Sequence, residues 1–117
     1  MSESLRGTKK VGIDLADVAR FRRFNGHVAH PFLKRVFFES EIRHCFAYTS
    51  PAPHLAGIFA AKEAASKALG ASRFPFAELE VRHAKDGTPE VWRNGRRVLV
   101  SVSISHTASL AAAVAIR

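Results

Sequence analysis

Lys62, Glu63 and Lys67 fall inside the alanine-rich stretch Phe59-Ala-Ala-Lys-Glu-Ala-Ala-Ser-Lys-Ala-Leu-Gly70, where packing alone gives no reason for charge. A helix over 54–69, stopped by Gly70, puts Leu55, Ile58, Phe59, Lys62, Ala65, Ser66 and Leu69 on one face at i, i+3, i+4 and i+7 spacing. Lys62 interrupts that apolar stripe. A buried ammonium without a partner sheds its proton or destabilises the fold, so either a carboxylate or a bound anion is expected opposite it. Glu63 lies at the edge of the stripe with Lys67 one turn on, a spacing that also suits a plain surface ion pair. Asp14 closes a short strand, and Ser105-His106-Thr107 sits at a turn between the last two strands. Two hard carboxylates, Asp14 and Glu63, together with water and a diphosphate make the oxygen set that Mg²⁺ prefers, and Lys62 and Lys67 would neutralise the remaining phosphate charge. Taken singly, Asp14 also reads as a helix N-cap and His106 as a turn histidine bonded to backbone.

The elements that must hold these groups follow from periodicity and punctuation. Val11-Gly-Ile-Asp-Leu15 reads as a first strand ending at or near Asp14, followed by a helix over 16–25 with Asp14 or Asp17 as its cap and Asn25-Gly26 as its stop. That helix carries Arg20 and Arg23 on one outward face. Residues 31–36 form a short helical piece, and 38–46 a helix that Ser40 is placed to start. Beyond the long helix and the connection over 72–76 the period becomes two. Strands over 79–83 and 89–93 flank the turn Asp86-Gly87, Asn94-Gly95 turns again, and strands over 98–105 and 110–116 follow. Helices early and antiparallel hairpins late predict an α+β fold, with helices packed on a small antiparallel sheet, and argue against alternating βαβ units.

With 117 residues, 47% of them apolar, the chain has the size of a single domain, 1–117, with 1–10 as a basic flexible leader. Lysines and arginines total 18 against 10 acids, a formal charge of +8 that favours a polyanionic partner: nucleic acid, a phosphorylated metabolite or an acidic protein. The lone Cys45 leaves no intramolecular disulfide, the first ten residues lack the apolar run of a secretory signal, and no apolar stretch nears the roughly 20 residues of a membrane span. A cytoplasmic protein is expected. Nucleic-acid binding is the rival of a different class, but most of the nine phenylalanines fall on apolar helix faces instead of alternating with basic residues on a strand, as base stacking requires. His27 and His30 lack a third ligand for zinc chemistry, and Cys45 in its apolar helical setting reads as a packed thiol.

Four segments, Val11-Gly-Ile-Asp-Leu-Ala-Asp-Val-Ala-Arg20, Phe37-Phe-Glu-Ser-Glu-Ile42, Leu55-Ala-Gly-Ile-Phe-Ala-Ala-Lys-Glu-Ala-Ala-Ser-Lys-Ala-Leu-Gly70 and Val102-Ser-Ile-Ser-His-Thr107, resemble in order and spacing the motifs of the holo-acyl-carrier-protein synthases, the small 4′-phosphopantetheinyl transferases. That resemblance implies transfer of the phosphopantetheine arm of coenzyme A to a serine of an acyl carrier protein of fatty-acid or secondary-metabolite synthesis, leaving adenosine 3′,5′-bisphosphate. It implies Asp14 and Glu63 as Mg²⁺ ligands, and Lys62, Lys67, Ser105, His106 and Thr107 beside the coenzyme A diphosphate and nucleotide. The base accepting the serine proton is open between Glu63 and a metal-bound water held by Asp14. Carrier proteins of this kind are acidic, so Arg20 and Arg23 become docking residues. The family also implies a homotrimer with sites at subunit boundaries. Two departures stand out. Ile58 replaces a family arginine, removing one phosphate contact that Arg73, Lys85 or His54 is placed to restore, and a plain hairpin at 92–98 replaces a helix of typical relatives. The alternative reading is a coenzyme A or carrier-protein binder without turnover.

Overall fold

In the computed structural model, which describes residues 9–117, the chain opens with strand β1 (Val11–Asp17) and continues through helices α1 (Ala19–Arg22), α2 (Pro31–Val36), α3 (Glu39–Phe46) and α4 (Ala52–Leu69). A 3₁₀ turn (Phe76–Glu78) leads to strands β2 (Glu80–His83), β3 (Pro89–Arg93), β4 (Arg96–Arg97), β5 (Ser101–His106) and β6 (Leu110–Ile116). The strands form two three-stranded antiparallel sheets, ordered β1-β6-β5 and β2-β3-β4. The predicted α+β class holds, with two sheets where one was expected.

Helix α4 lies against β1, β6 and β5 and is buried on nearly every side, which its run of alanines permits. Small side chains let backbone approach backbone. A Cβ added to Gly12 of β1 would sit 2.0 Å from the carbonyl oxygen of Ala64, so at this crossing only glycine lets the strand lie on the helix. The helix ends where expected, at Gly70, whose φ of 96° favours a residue without a Cβ. Phe21, Phe24, Leu33, Leu55 and Leu79 fill the rest of the core.

Several boundaries differ from expectation for tertiary reasons. Strand β1 continues three residues past Asp14, because Leu15, Ala16 and Asp17 pair with Ala112, Ala111 and Leu110 of β6. The helix predicted over 16–25 therefore shrinks to α1, with Val18 at its N-cap position and no side-chain cap, so neither Asp14 nor Asp17 caps it. Helix α3 starts one residue before Ser40. Phe38 occupies the N-cap position, and the Glu41 carboxylate accepts its N–H at 2.8 Å. The strand predicted over 98–105 begins later, at Ser101: residues 98–100 carry the chain from β4, which pairs with β3, across to the other sheet, where β5 joins β6. The hairpin between β3 and β4 turns on Asn94 and Gly95, both at positive φ (52° and 74°). Of the predicted leader, residues 1–8 lie outside the described residues, and the Lys10 carbonyl accepts the Arg117 N–H at 2.9 Å. Among the described residues no helix is long and apolar enough to cross a membrane.

Candidate active site

Strand alternation turns Gly12, Asp14 and Ala16 toward α4 and leaves Val11, Ile13 and Leu15 on the open face of the sheet. On the helix side, Lys67 Nζ donates to Asp14 Oδ1 at 3.2 Å and to the Ile13 carbonyl at 3.1 Å. The Lys67 side chain is 53% exposed and that of Asp14 16%, so the ammonium remains open to a ligand while the carboxylate is largely enclosed. One turn earlier on the same helical face stands Glu63. Burial first, and the negative charge of Asp14 second, push its carboxyl above the usual carboxylate range, while Lys67 and Arg20 pull it back. Residues 14 and 63, far apart in sequence, are therefore close enough in space to repel. Among the described residues Glu63 has no ion-pair partner.

That donor set fits a hard divalent cation, which would relieve the repulsion between the two carboxylates. No group of three or more His, Cys, Asp or Glu side chains suited to a metal ion occurs among the described residues. A cation here would take two protein carboxylates and draw its other oxygens from water and substrate, an arrangement that suits Mg²⁺.

Lys62 does something different. Its side chain is 0% exposed, and Nζ donates to Glu41 Oε1 and to the Val36 carbonyl, both at 2.8 Å. Of the two partners the sequence allowed, a carboxylate or an anion, the structure supplies the carboxylate, so within this chain Lys62 does not face a ligand. Glu41 in turn accepts the Phe38 N–H at 2.8 Å and the Val81 N–H at 2.7 Å. Burial drives the Glu41 carboxyl up and the Lys62 ammonium down, and their mutual attraction opposes both shifts. Every polar atom of the pair is satisfied. One ion pair thus ties α4 to the end of α2, the start of α3 and strand β2, one residue before Glu63. Sequence reasoning missed Glu41 as the partner; its signal was position three of a helix following an apolar N-cap, in the segment Phe37-Phe-Glu-Ser-Glu-Ile42.

Arg20 and Arg23 are both exposed, as expected, and lie on an aromatic floor. The Arg20 guanidinium sits 5.3 Å from the ring centre of Phe59, and Arg23 4.7 Å from that of Phe24. Arg20 is the one whose charge reaches Glu63. Arg22 instead donates to the Ala108 carbonyl at 2.9 Å and braces the β5–β6 turn.

The turn residues divide. His106 is on the α4 side of β5, its ring edge-on to His54 at 5.2 Å, beside a cavity of about 490 Å³. Ser105 alternates with it onto the opposite pleat and is exposed. Thr107 builds the turn: its hydroxyl oxygen accepts the N–H groups of Ser109 and Leu110 at 3.2 and 3.1 Å. Asp14 and Ile104 both pair with Ala113, so two strand spacings, about 10 Å, separate the carboxylate site from β5. Ile58 lines the cavity. Of the three residues placed to compensate for the absent arginine, His54 also lines it and Arg73 and Lys85 do not.

Residues 10–115 match the family model described as the 4′-phosphopantetheinyl transferase superfamily. The chain is 39% identical over 104 residues to a holo-[acyl-carrier-protein] synthase of Thermodesulfovibrio yellowstonii, covering 88% of this chain and 92% of the relative. It is 38% identical over 112 residues to the protein of that name from Chlorobaculum parvum, covering 92% and 96%. Its fold superposes on the crystal structure of Helicobacter pylori holo-[acyl-carrier-protein] synthase in complex with coenzyme A, with TM-score 0.74, 28% identity and coverage of 92% of this chain and 99% of that one. The Bacillus anthracis enzyme in complex with CoA (3′,5′-ADP) gives TM-score 0.74 at 29% identity, covering 92% and 93%. A family match along nearly the whole chain, relatives this similar over most of their length, and a shared fold together establish that the chain belongs to the 4′-phosphopantetheinyl transferase superfamily.

Proposed function

We propose that this protein transfers the 4′-phosphopantetheine group of coenzyme A to a serine hydroxyl of an acyl carrier protein, in a Mg²⁺-dependent reaction that releases adenosine 3′,5′-bisphosphate. The observation that carries this reading is the convergence of Asp14, Glu63 and Lys67 from a strand and a helix, with the ammonium on Asp14 at 3.2 Å and the two carboxylates within each other's field. In the reaction the serine oxygen forms a bond to the phosphorus that bears the pantetheine arm, and the bond from that phosphorus to the oxygen bridging the diphosphate breaks. Such a displacement asks little covalent chemistry of the protein; positioning and charge neutralisation dominate.

Asp14 and Glu63 would hold Mg²⁺, which when bound neutralises diphosphate charge. Lys67, half in solvent and carrying three rotatable donors, moves from Asp14 to a phosphate oxygen as the substrate enters. Glu63, made more basic by burial and by Asp14, is the candidate acceptor of the serine proton. The Glu41–Lys62 pair fixes the rotation of α4 that aims Glu63 and Lys67 at β1. His106 and its cavity take the nucleotide end of coenzyme A, and Arg20 and Arg23 dock an acidic carrier protein. The reaction is placed in the cytoplasm.

A homotrimer is part of the proposal. The open face of the β1-β6-β5 sheet supports self-association, with Val11, Ile13 and Leu15 at 61%, 63% and 60% exposure and Leu110 and Ile116 beside them. Incubation with coenzyme A, Mg²⁺ and a panel of apo carrier proteins tests the function. The intact mass of a carrier is expected to rise by one phosphopantetheine, with Asp14→Ala and Glu63→Ala abolishing the gain. Unmodified carrier across the panel would leave only a binding role.

A further inference from the structure

Gly12 marks the point where β1 presses closest on α4. A Cβ there would lie 2.0 Å from the Ala64 carbonyl oxygen, 2.9 Å from the Ala64 carbonyl carbon and 3.0 Å from the Ala68 nitrogen. Its φ lies outside the left-handed region, so what the position requires of its residue is space and not conformational freedom. The atoms it meets are backbone of a helix buried on nearly every side, and they cannot swing aside as the end of a side chain would. Their sequence neighbours are the residues of the site. Asp14 follows Gly12 on the same pleat, and Glu63 and Lys67 immediately precede Ala64 and Ala68 on α4. One glycine therefore sets the strand-to-helix distance beside all three groups. Lys67 ties the two elements at that distance, with Nζ on Asp14 Oδ1 at 3.2 Å and on the Ile13 carbonyl at 3.1 Å.

The closeness of this approach matters to a cation. Mg²⁺ binds oxygen at about 2.0–2.1 Å in near-octahedral geometry, whereas Ca²⁺ accepts about 2.3–2.6 Å and looser coordination. A cation shared by two carboxylates therefore needs up to about 1 Å more between them when the larger ion replaces the smaller. A methyl added to Gly12 would force a displacement of the same size, because its contact with Ala64 has to open from 2.0 Å to at least 3.0 Å, the floor for real Cβ contacts. Strand β1 is the element free to yield. Among the described residues it pairs with β6 alone, at the edge of its sheet, while α4 is packed against β1, β5, β6 and α1. Movement of the strand away from the helix carries Asp14 with it, since Asp14 lies two residues on in the same continuous ladder. Strand, helix and both carboxylates belong to one chain, so this spacing is set within the chain.

We propose that Gly12 is a positioning residue of the cation site: by letting β1 lie against the Ala64 carbonyl, it holds Asp14 close enough to Glu63 for Mg²⁺ to be favoured over Ca²⁺. The inference rests on the transferase reading, in which those carboxylates share the ion, and adds to it the origin of the ion preference. Gly12 touches neither ion nor substrate. Its effect reaches the ion only through Asp14, which separates it from a general loss of stability: a looser crossing changes which cation fits, and a weaker fold elsewhere does not.

The test uses the full chain with coenzyme A and Mn²⁺ as the probe. Electron paramagnetic resonance measures the concentrations of Mg²⁺ and of Ca²⁺ that each release half of the bound Mn²⁺. Wild type is expected to need severalfold less Mg²⁺ than Ca²⁺, and Gly12→Ala to lower that preference severalfold or reverse it. Val91→Ala, which removes buried volume in β3 away from the site, is expected to destabilise the fold and keep the wild-type ratio. If Gly12→Ala does not fold, Ala16→Val takes its place: it adds two methyl groups to the same buried face of β1, beyond Asp14, and carries the same prediction. A folded β1 variant with the wild-type ratio overturns the inference, as does an equal shift in Val91→Ala or a wild type that holds Ca²⁺ as tightly as Mg²⁺. Each of these leaves the transferase reading intact. A wild type that binds no Mn²⁺ with coenzyme A present overturns that reading and this inference with it.

Discussion

Replacing Glu41 by glutamine tests the internal scaffold of the site. The substitution keeps the shape but removes the charge that faces a fully buried ammonium, 2.8 Å away, and trades one of two acceptor oxygens for an amide. Three donors converge on the native carboxylate: Lys62 Nζ, Phe38 N–H and Val81 N–H. Glutamine has one oxygen to offer them. Breaking a buried ion pair by removing one partner costs about 3–5 kcal/mol, and a backbone N–H left without an acceptor adds about 1–3 kcal/mol. Against a total stability of about 5–15 kcal/mol, that is a loss of roughly a quarter or more. Lys62→Met removes the other charge and strands the Val36 carbonyl, with a similar cost of about 3–5 kcal/mol. The double variant is expected to cost less than the sum of the two by about 1–3 kcal/mol, since neither charge is then left alone. Urea unfolding followed by the fluorescence of Trp92, the only tryptophan, at one fixed protein concentration, measures all four proteins. Single variants within about 0.5 kcal/mol of wild type, or strictly additive costs, would refute the buried pair as the tie between α3, α4 and β2.

Three further outcomes follow from the site and its surface. Lys67→Ala, assayed for transfer at saturating coenzyme A, should lower kcat by roughly 10²–10³-fold, the usual cost of one preorganised donor to developing charge; an unchanged kcat would place Lys67 outside the chemistry. Arg20→Ala should move the acid limb of the kcat/KM profile to higher pH, because Glu63 must be ionised to hold a cation and the Arg20 charge lowers its already raised pKa. A limb that stays put, or moves to lower pH, contradicts the placement of Arg20 beside Glu63. Ile13→Glu puts a charge among the exposed apolar side chains of β1 on the open sheet face and should convert the proposed oligomer to monomer by light scattering; a protein already monomeric as wild type would remove the trimer from the proposal.

How much of this was legible in the sequence depended on whether local pattern or tertiary contact decided each feature. The long helix, its stop at Gly70, the Asp86-Gly87 and Asn94-Gly95 turns and the final strand are written in periodicity and turn chemistry, and the chain adopts them nearly as read. The extension of β1 is not, because Ala16 and Asp17 are held in strand conformation by Ala111 and Leu110, almost a full chain length away. Lys62 announced that it needed a partner without saying which: Glu41 lies 21 residues upstream, on a helix whose starting residue is set by that same carboxylate. Asp14 was visible as a candidate, yet that it faces α4 instead of solvent depends on the register against β6. His54 and His106 were visible as candidates, but not that they gather with His44 and His83: the four share no periodicity and meet only because α3, α4, β2 and β5 close around one cavity.

The central claim is that Asp14 and Glu63 jointly hold a divalent cation where the coenzyme A diphosphate will lie. Electron paramagnetic resonance with Mn²⁺ as the reporter measures it without turnover: free Mn²⁺ gives a signal that binding suppresses. With coenzyme A present, wild-type protein is expected to remove one equivalent of signal per chain, and Asp14→Asn and Glu63→Gln, each folded by circular dichroism, to leave the signal in place. Wild-type affinity for Mn²⁺ in both variants would contradict the account, because the cation would then be held by other groups.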